Sequence, residues 1–91
     1  MIRSIKHKGL KKLYSDGDRS KLAPELVDRI EEIIGLLDVA GTVDDMRLPH
    51  LNLHPLKGDR KGQWSVTVRA NWRIVFTFDV EPANVDFIDY H

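Results

Sequence analysis

From Leu22 to Leu37 the apolar residues recur three and four positions apart: Leu22, Leu26, Ile30, Ile33, Ile34 and Leu37. Glu25, Asp28, Arg29, Glu31, Glu32 and Asp38 fill the positions between them. That period places an apolar stripe and a charged stripe on opposite sides of a helix over 24–38. Pro24 suits the first helical position, where a missing N–H costs nothing, and Glu25 complements the positive end of the dipole. Gly41 is the expected stop. Upstream, the pattern predicts a short basic helix over Lys8–Tyr14 with Leu10 and Leu13 inward, ended by the turn cluster Ser15-Asp16-Gly17-Asp18. Ile2 to Ile5 read as a short strand.

Beyond Leu51 the period changes to two. Trp64, Val66 and Val68 alternate with Ser65, Thr67 and Arg69, and Trp72, Ile74, Phe76 and Phe78 alternate with Arg73, Val75 and Thr77. Ala70-Asn71 is the tight hairpin turn between these two strands, with Asn71 suited to a positive φ. Glu81-Pro82-Ala83-Asn84 turns the chain again, and Val85–Tyr90 forms a third strand. Three strands with short connections make an antiparallel meander. Its Trp- and Phe-rich face needs a cover, and the long helix supplies one. The other face, carrying Ser65, Thr67, Arg69, Arg73, Val75 and Thr77, reads as polar and basic. The expected fold class is α+β, with two N-terminal helices packed on one face of an antiparallel-dominated sheet.

Composition narrows the reading. The chain has 91 residues, 42% of them hydrophobic, and no cysteine. One domain over residues 1–91 is expected at that length, and a disulfide framework or thiolate metal site is excluded. No apolar run exceeds three residues, far below the ~20 that span a bilayer, and no secretory h-region follows the N-terminal charges. A cytoplasmic location without membrane contact is the expectation. Fourteen Lys and Arg balance 14 Asp and Glu, so the net charge is zero. The zero is a sum of polarised blocks: +5 over residues 1–21, −5 over 22–48, +4 over 49–78 and −4 over 79–91. The two basic blocks are expected to meet in a cleft, which gives a neutral molecule a cationic face.

Two segments concentrate polar groups beyond what folding needs. One is His54-Pro55-Leu56-Lys57-Gly58-Asp59-Arg60-Lys61-Gly62, otherwise an ordinary Pro/Gly loop with solvated cations. The other is Asp89-Tyr90-His91, otherwise a frayed end. Together they suit RNA transphosphorylation, which needs a base for the 2′-hydroxyl, an acid for the leaving 5′-oxygen and cations for the phosphorane charge. His54 and His91 have the side chain for proton transfer near neutral pH, with Asp89 as a further base or an orienting partner. Lys57 and Arg73 supply charge, and Tyr90 a stacking surface. Strand alternation sends Asp89 and His91 to one face and Tyr90 to the other. No metal-ligand spacing is present: His50 and His54 are four apart, but Pro49 and Pro55 argue against a helix between them. No metal and no cofactor are expected.

The segments His54–Gly58, Gly62–Arg69, Asn71–Ile74 and Asp89–His91 closely resemble HigB-type toxins of the RelE superfamily. Met1-Ile2-Arg3-Ser4, His7-Lys8-Gly9-Leu10 and Val27-Asp28-Arg29-Ile30 look similar too, in the right order and spacing, the likeness being weakest over residues 39–50. This resemblance implies a RelE-like fold and a toxin that enters the ribosomal A site and cuts messenger RNA during translation, without a metal. It implies a co-encoded helix-turn-helix antitoxin, HigA-like, with operator DNA met only through the antitoxin complex. By the same resemblance, His54, Lys57, Asp89, Tyr90 and His91 match positions assigned to catalysis. Arg73 matches a phosphate-binding position, and Arg69, Lys61 and Arg60 are expected to join it on RNA. Lys8, Lys11 and Lys12 are expected to contact ribosomal RNA. RelE itself uses a different set, dominated by Lys, Arg and Tyr, so the division between base and acid stays open; Asp89 as base, assisted by His54 and His91, is the first expectation. The alternative from another class is a non-cleaving module of the same fold that binds ribosome or antitoxin. A free ribonuclease acting on naked RNA is a third.

Overall fold

In a computed structural model, which describes residues 1–90, two helices precede a four-stranded sheet. Helix α1 spans Lys8–Asp16. His7 caps its start by accepting the Leu10 N–H on Nδ1 at 3.2 Å. Gly17 ends it at φ 70°, a left-handed position that glycine takes without a Cβ clash. Helix α2 spans Pro24–Val39, with Pro24 in its first turn and Leu26, Val27, Ile30, Ile33, Ile34 and Leu37 buried. Strands β1 (His54–Pro55), β2 (Trp64–Arg69), β3 (Trp72–Phe78) and β4 (Pro82–Asp89) lie in chain order, each antiparallel to the next.

The expected architecture is present: α+β, with Leu10 and Leu13 of α1 and the apolar stripe of α2 sharing one core with Val66, Val68, Ile74, Phe76 and Val85 of the sheet. Met46, Leu51 and Leu53 reach the same core from the 40–53 connection. Its 3-10 turn, Val43–Met46, is held by reciprocal capping between Thr42 and Asp45. The Gly41 and Thr42 N–H groups that Asp45 accepts hold its carboxyl below the usual range.

Several local expectations change. The N-terminal segment makes only one bridge, Ile5 to Val85, and it is parallel. Arg3 and Lys6 N–H donate to the Pro82 and Val85 carbonyls at 2.8 and 2.7 Å, so this segment seals the outer edge of β4. In the β2–β3 hairpin the positive φ falls on Ala70, at 52°, and not on Asn71. A positive φ at the first of the two turn residues is a feature of the two-residue turns whose twist matches that of the strands. The supposed turn at 81–84 lies mostly within β4. There Asn84 (φ 53°) sits at a register shift between the pairs Val75↔Asp86 and Thr77↔Ala83, a bulge and not a reversal.

The faces also differ from a simple alternation. Phe76 is fully buried, but Trp72 keeps 37% exposure at the end of β3, stacked on Phe87 with ring centroids 4.9 Å apart. On the other face Ser65 and Val75 are fully buried where polar exposure was expected. Both sit in the middle of the sheet, in the row His54, Ser65, Val75, Asp86, with strands on either side.

Candidate active site

The register decides which expected site residues share a surface. His54 pairs with Ser65, Ser65 with Val75, and Val75 with Asp86, so all four lie in one cross-strand row. Arg73 pairs with Thr67 and Ile88, a row two residues further along, on the same face. Tyr90 follows by alternation from Ile88, and its N–H donates to the Asn71 carbonyl at 2.8 Å. This face is the one the helices leave uncovered. With strands ~4.8 Å apart and residues ~3.4 Å apart along them, the His54 and Arg73 backbones stand about 12 Å apart. Asp89 pairs with Trp72 and so alternates to the side of Trp72 and Phe87. His91 lies outside the described residues.

His54 is exposed on its two-residue strand, and its Nδ1 stands 2.9 Å from the Asn52 carbonyl oxygen. Lys57 is exposed at the start of the 3-10 turn Gly58–Arg60, where its carbonyl accepts the Arg60 N–H. Gly58 opens that turn at φ 64°, where a side chain would be strained. Arg60 is half-buried and donates through Nη1 to Gln63 Oε1 at 3.2 Å, and Lys61 is exposed. Arg69 is exposed too, but a register shift in β2 pairs it with Trp72 and so puts it on the side of Asp89, not with Arg73 as expected. Arg73 is half-buried, its Nη1 donating to the Ala70 and Trp72 carbonyls. Its Nε is buried without a partner among the described residues, as is the Ser65 hydroxyl.

Electrostatics separates the two basic blocks. Among the described residues, none of Lys57, Arg60, Lys61, Arg69 and Arg73 forms an ion pair. In the N-terminal block, by contrast, Lys12 pairs with Asp16 and Arg19 with Asp28. Nor do the blocks meet as expected. Leu10 and Leu13 bind α1 to the covered face of the sheet, so its lysines turn away from Arg73 and His54. Lys8, Lys11 and Lys12 line a cavity of about 340 Å³ with Ser15 and Asp16. Beside it, Arg3 and Lys11 line one of about 270 Å³ with Ile2, Ser4, Ile5, Tyr14 and Ser15. No residue of the 49–78 block reaches either. Among the described residues no three His, Asp or Glu side chains gather as metal ligands, and no helix is long and apolar enough to cross a membrane.

Likeness to known proteins decides the family. A family profile described as the RelE-like toxin of the type II toxin–antitoxin system HigB matches residues 3–91. The chain belongs to the HigB-like toxin family. It is 47% identical over 92 aligned positions to the Endoribonuclease HigB of Proteus vulgaris, covering all of both chains. It is 29% identical over 93 positions to Toxin HigB-1 of Vibrio cholerae serotype O1 (strain ATCC 39315 / El Tor Inaba N16961), covering all of this chain and 98% of the other. A toxin of this family has an antitoxin as its partner, and its RelE-like sheet presents His54, Arg73 and Tyr90 together. Two features of that surface escape a sequence reading. Ser65 looked like one more polar strand residue, and Asn52 lay between two leucines with no chemistry to mark it. Only the tolerance of Asn for a left-handed backbone hinted that the chain turns there.

Proposed function

We propose that this endoribonuclease toxin cuts messenger RNA in the ribosomal A site by transphosphorylation, using its own side chains and no metal. The observation that carries the reading is the surface of His54, Arg73 and Tyr90, flanked by cations that no described carboxylate neutralises. A base takes the 2′-hydroxyl proton as that oxygen attacks the adjacent phosphorus. The bond from phosphorus to the 5′-oxygen breaks, and an acid returns a proton to that oxygen, leaving a 2′,3′-cyclic phosphate. Because β4 turns Asp89 to the other side, His54 and His91 share the proton steps and Asp89 is left an orienting role. Lys57 and Arg73 hold the charge that builds on the phosphorane. Tyr90 stacks on a base, and Arg69, Lys61 and Arg60 hold flanking phosphates. Lys8, Lys11 and Lys12 contact ribosomal RNA from the far side of the fold.

Zero net charge supports ribosome dependence. Non-specific affinity for free RNA grows with the phosphates a protein neutralises, and the acidic blocks here oppose it. A preformed ribosomal site supplies the alignment that charge alone does not. The cognate antitoxin, of the HigA-like helix-turn-helix kind, silences the toxin in the cytoplasm, and operator DNA is met only through that complex. Purified toxin added to naked mRNA and to programmed ribosomes tests the reading. Cleavage confined to ribosome-bound message is expected. Equal cleavage of naked RNA overturns ribosome dependence, and no cleavage in either points to a binding module.

A further inference from the structure

Among the described residues three other than glycine hold a positive φ: Asn52 at 51°, Ala70 at 52° and Asn84 at 53°. A side chain opposes that conformation, and proteins keep such strain where it positions something. Two of the three present a carbonyl to a side chain of the candidate site. Ala70 presents its oxygen to the Arg73 guanidinium, and Asn52 presents its own to the His54 imidazole.

We propose that Asn52 is a positioning residue for His54: its left-handed backbone holds a carbonyl on Nδ1, fixes the Nδ1–H tautomer, and leaves Nε2 to exchange the proton with RNA. The inference rests on the reading of His54 as a proton-transfer group. A carbonyl oxygen only accepts, so the ring nitrogen 2.9 Å from it must carry the hydrogen. In the neutral imidazole the other nitrogen then holds the lone pair. An unrestrained imidazole in water prefers the opposite tautomer, so the contact reverses an intrinsic bias. Nothing else among the described residues bonds this exposed ring. The carbonyl itself is well anchored. Leu51 and Leu53 on either side are buried in the core, and the Leu51 carbonyl accepts the Thr67 N–H from β2 at 2.7 Å. Asn52 is therefore a fixed acceptor between two core anchors, and His54 turns about it.

The test combines the tautomer with the rate. Long-range ¹H–¹⁵N spectra of the free toxin report which ring nitrogen of His54 is protonated. Cleavage kinetics are measured on whichever form of RNA the toxin cuts. The wild type and Asn52→Gly, which adopts the same backbone without strain, should both show Nδ1–H and equal kcat. Asn52→Val, whose branched side chain opposes the left-handed backbone, should lose that tautomer in part. Its kcat should fall roughly 5–10-fold, the bias one hydrogen bond supplies, with KM held and the melting temperature lowered by the strain of the branched side chain. Asn52→Ala should fall between, and it carries the comparison if the Val variant fails to fold. Nε2–H in the wild type, or a folded Val or Ala variant with a changed tautomer and unchanged kcat, overturns the proposal. If His54→Ala cuts at the wild-type rate, the catalytic reading of His54 fails first, and a wild-type Nδ1–H signal then records a structural hydrogen bond alone.

Discussion

Arg73→Ala separates chemistry from folding more cleanly than any other single change at this surface. The guanidinium is half-buried, and among the described residues Nη1 alone bonds protein, donating to the Ala70 and Trp72 carbonyls on the exposed side of the turn. Solvent-side hydrogen bonds of this kind contribute roughly 1 kcal/mol together once water replaces them. The same truncation removes the buried Nε, which has no partner and whose desolvation costs on the order of 1 kcal/mol. The two effects oppose each other. The variant should stay within about 1 kcal/mol of wild type, a melting shift of no more than ~8 °C for a chain of this size. Activity should respond quite differently. Nη2 makes no bond among the described residues and is free to face a phosphate. Loss of one donor aimed at developing charge costs roughly 10²–10³ in kcat.

Arg73→Lys sharpens the comparison. Lysine keeps the positive charge but has one nitrogen, which cannot hold the turn carbonyls and a phosphate in the geometry of the planar fork. Its rate should fall between wild type and the alanine variant. Single-turnover cleavage and thermal melting on the same preparations give both numbers. A stability loss above ~3 kcal/mol would make Arg73 a structural residue. An alanine variant that folds and cuts within a few-fold of wild type would remove Arg73 from the site, because the charge would then be idle in the reaction.

Other outcomes follow from the packing and the electrostatics. Phe76→Ala, in the middle of β3 and fully buried, should cost ~3–5 kcal/mol, whereas Trp72→Ala, 37% exposed at the strand end, should cost less than half as much; equal losses in urea melts would contradict the assignment of the two rings. Ala70→Gly should raise stability by roughly 0.5–1 kcal/mol, because relief at φ 52° outweighs the entropy glycine adds to the unfolded chain. A lower melting temperature would mean that the alanine is not strained. The Tyr14 hydroxyl and the Ile2 N–H hold the Asp38 carboxyl below its ordinary value of 3.8. A carboxyl lowered in the folded state contributes stability above the unfolded value and loses it as pH falls through the folded one. Asp38→Asn should therefore flatten the stability profile below about pH 4, and an unchanged acid slope in the variant would remove Asp38 from the account.

How far the sequence reveals this molecule depends on the range of the interaction concerned. Both helices and the hairpin strands follow from local period, because residues three, four or two apart decide which side meets the core. Leu10 with Leu13 and Trp64 with Val66 are cases of that kind. The strand His54–Pro55 is not visible locally, since a proline beside a histidine reads as loop until Ser65 and Trp64 arrive to pair with it. Asn84 belongs to the stretch Glu81-Pro82-Ala83-Asn84 that reads as a turn; the pairing of Thr77 with Ala83 makes it a bulge with a positive φ. The cleft expected between the two basic blocks failed for a similar reason. Charge totals per segment say nothing about which side of the sheet a helix will cover. The residues proposed for chemistry were legible by type and alternation already separates Asp89 from Tyr90, but the register alone puts Tyr90, and not Asp89, on the face of His54 and Arg73.

The two sides of this sheet do different work through the same two strands. Along β2 and β3 alternate residues either enter the helix-covered core, as Val66, Ile74 and Phe76 do, or face outward with Thr67 and Arg73. Changes to the first set should act on stability and changes to the second on catalysis, with little overlap. Ser65 and Val75 are the exceptions, because they belong to the outward set by alternation and to the buried set by exposure. Their burial makes the middle of the outward face rigid and leaves polar groups at its margins, His54 on one side and Tyr90 on the other. A rigid, partly apolar floor between charged and titratable borders suits a substrate that arrives already ordered. Loose RNA would have to be straightened against it, at an entropic cost that zero net charge does little to offset. On the function proposed above, message held in a ribosomal site has met that cost in advance, so a protein of this charge and shape would gain from a partner that presents its substrate.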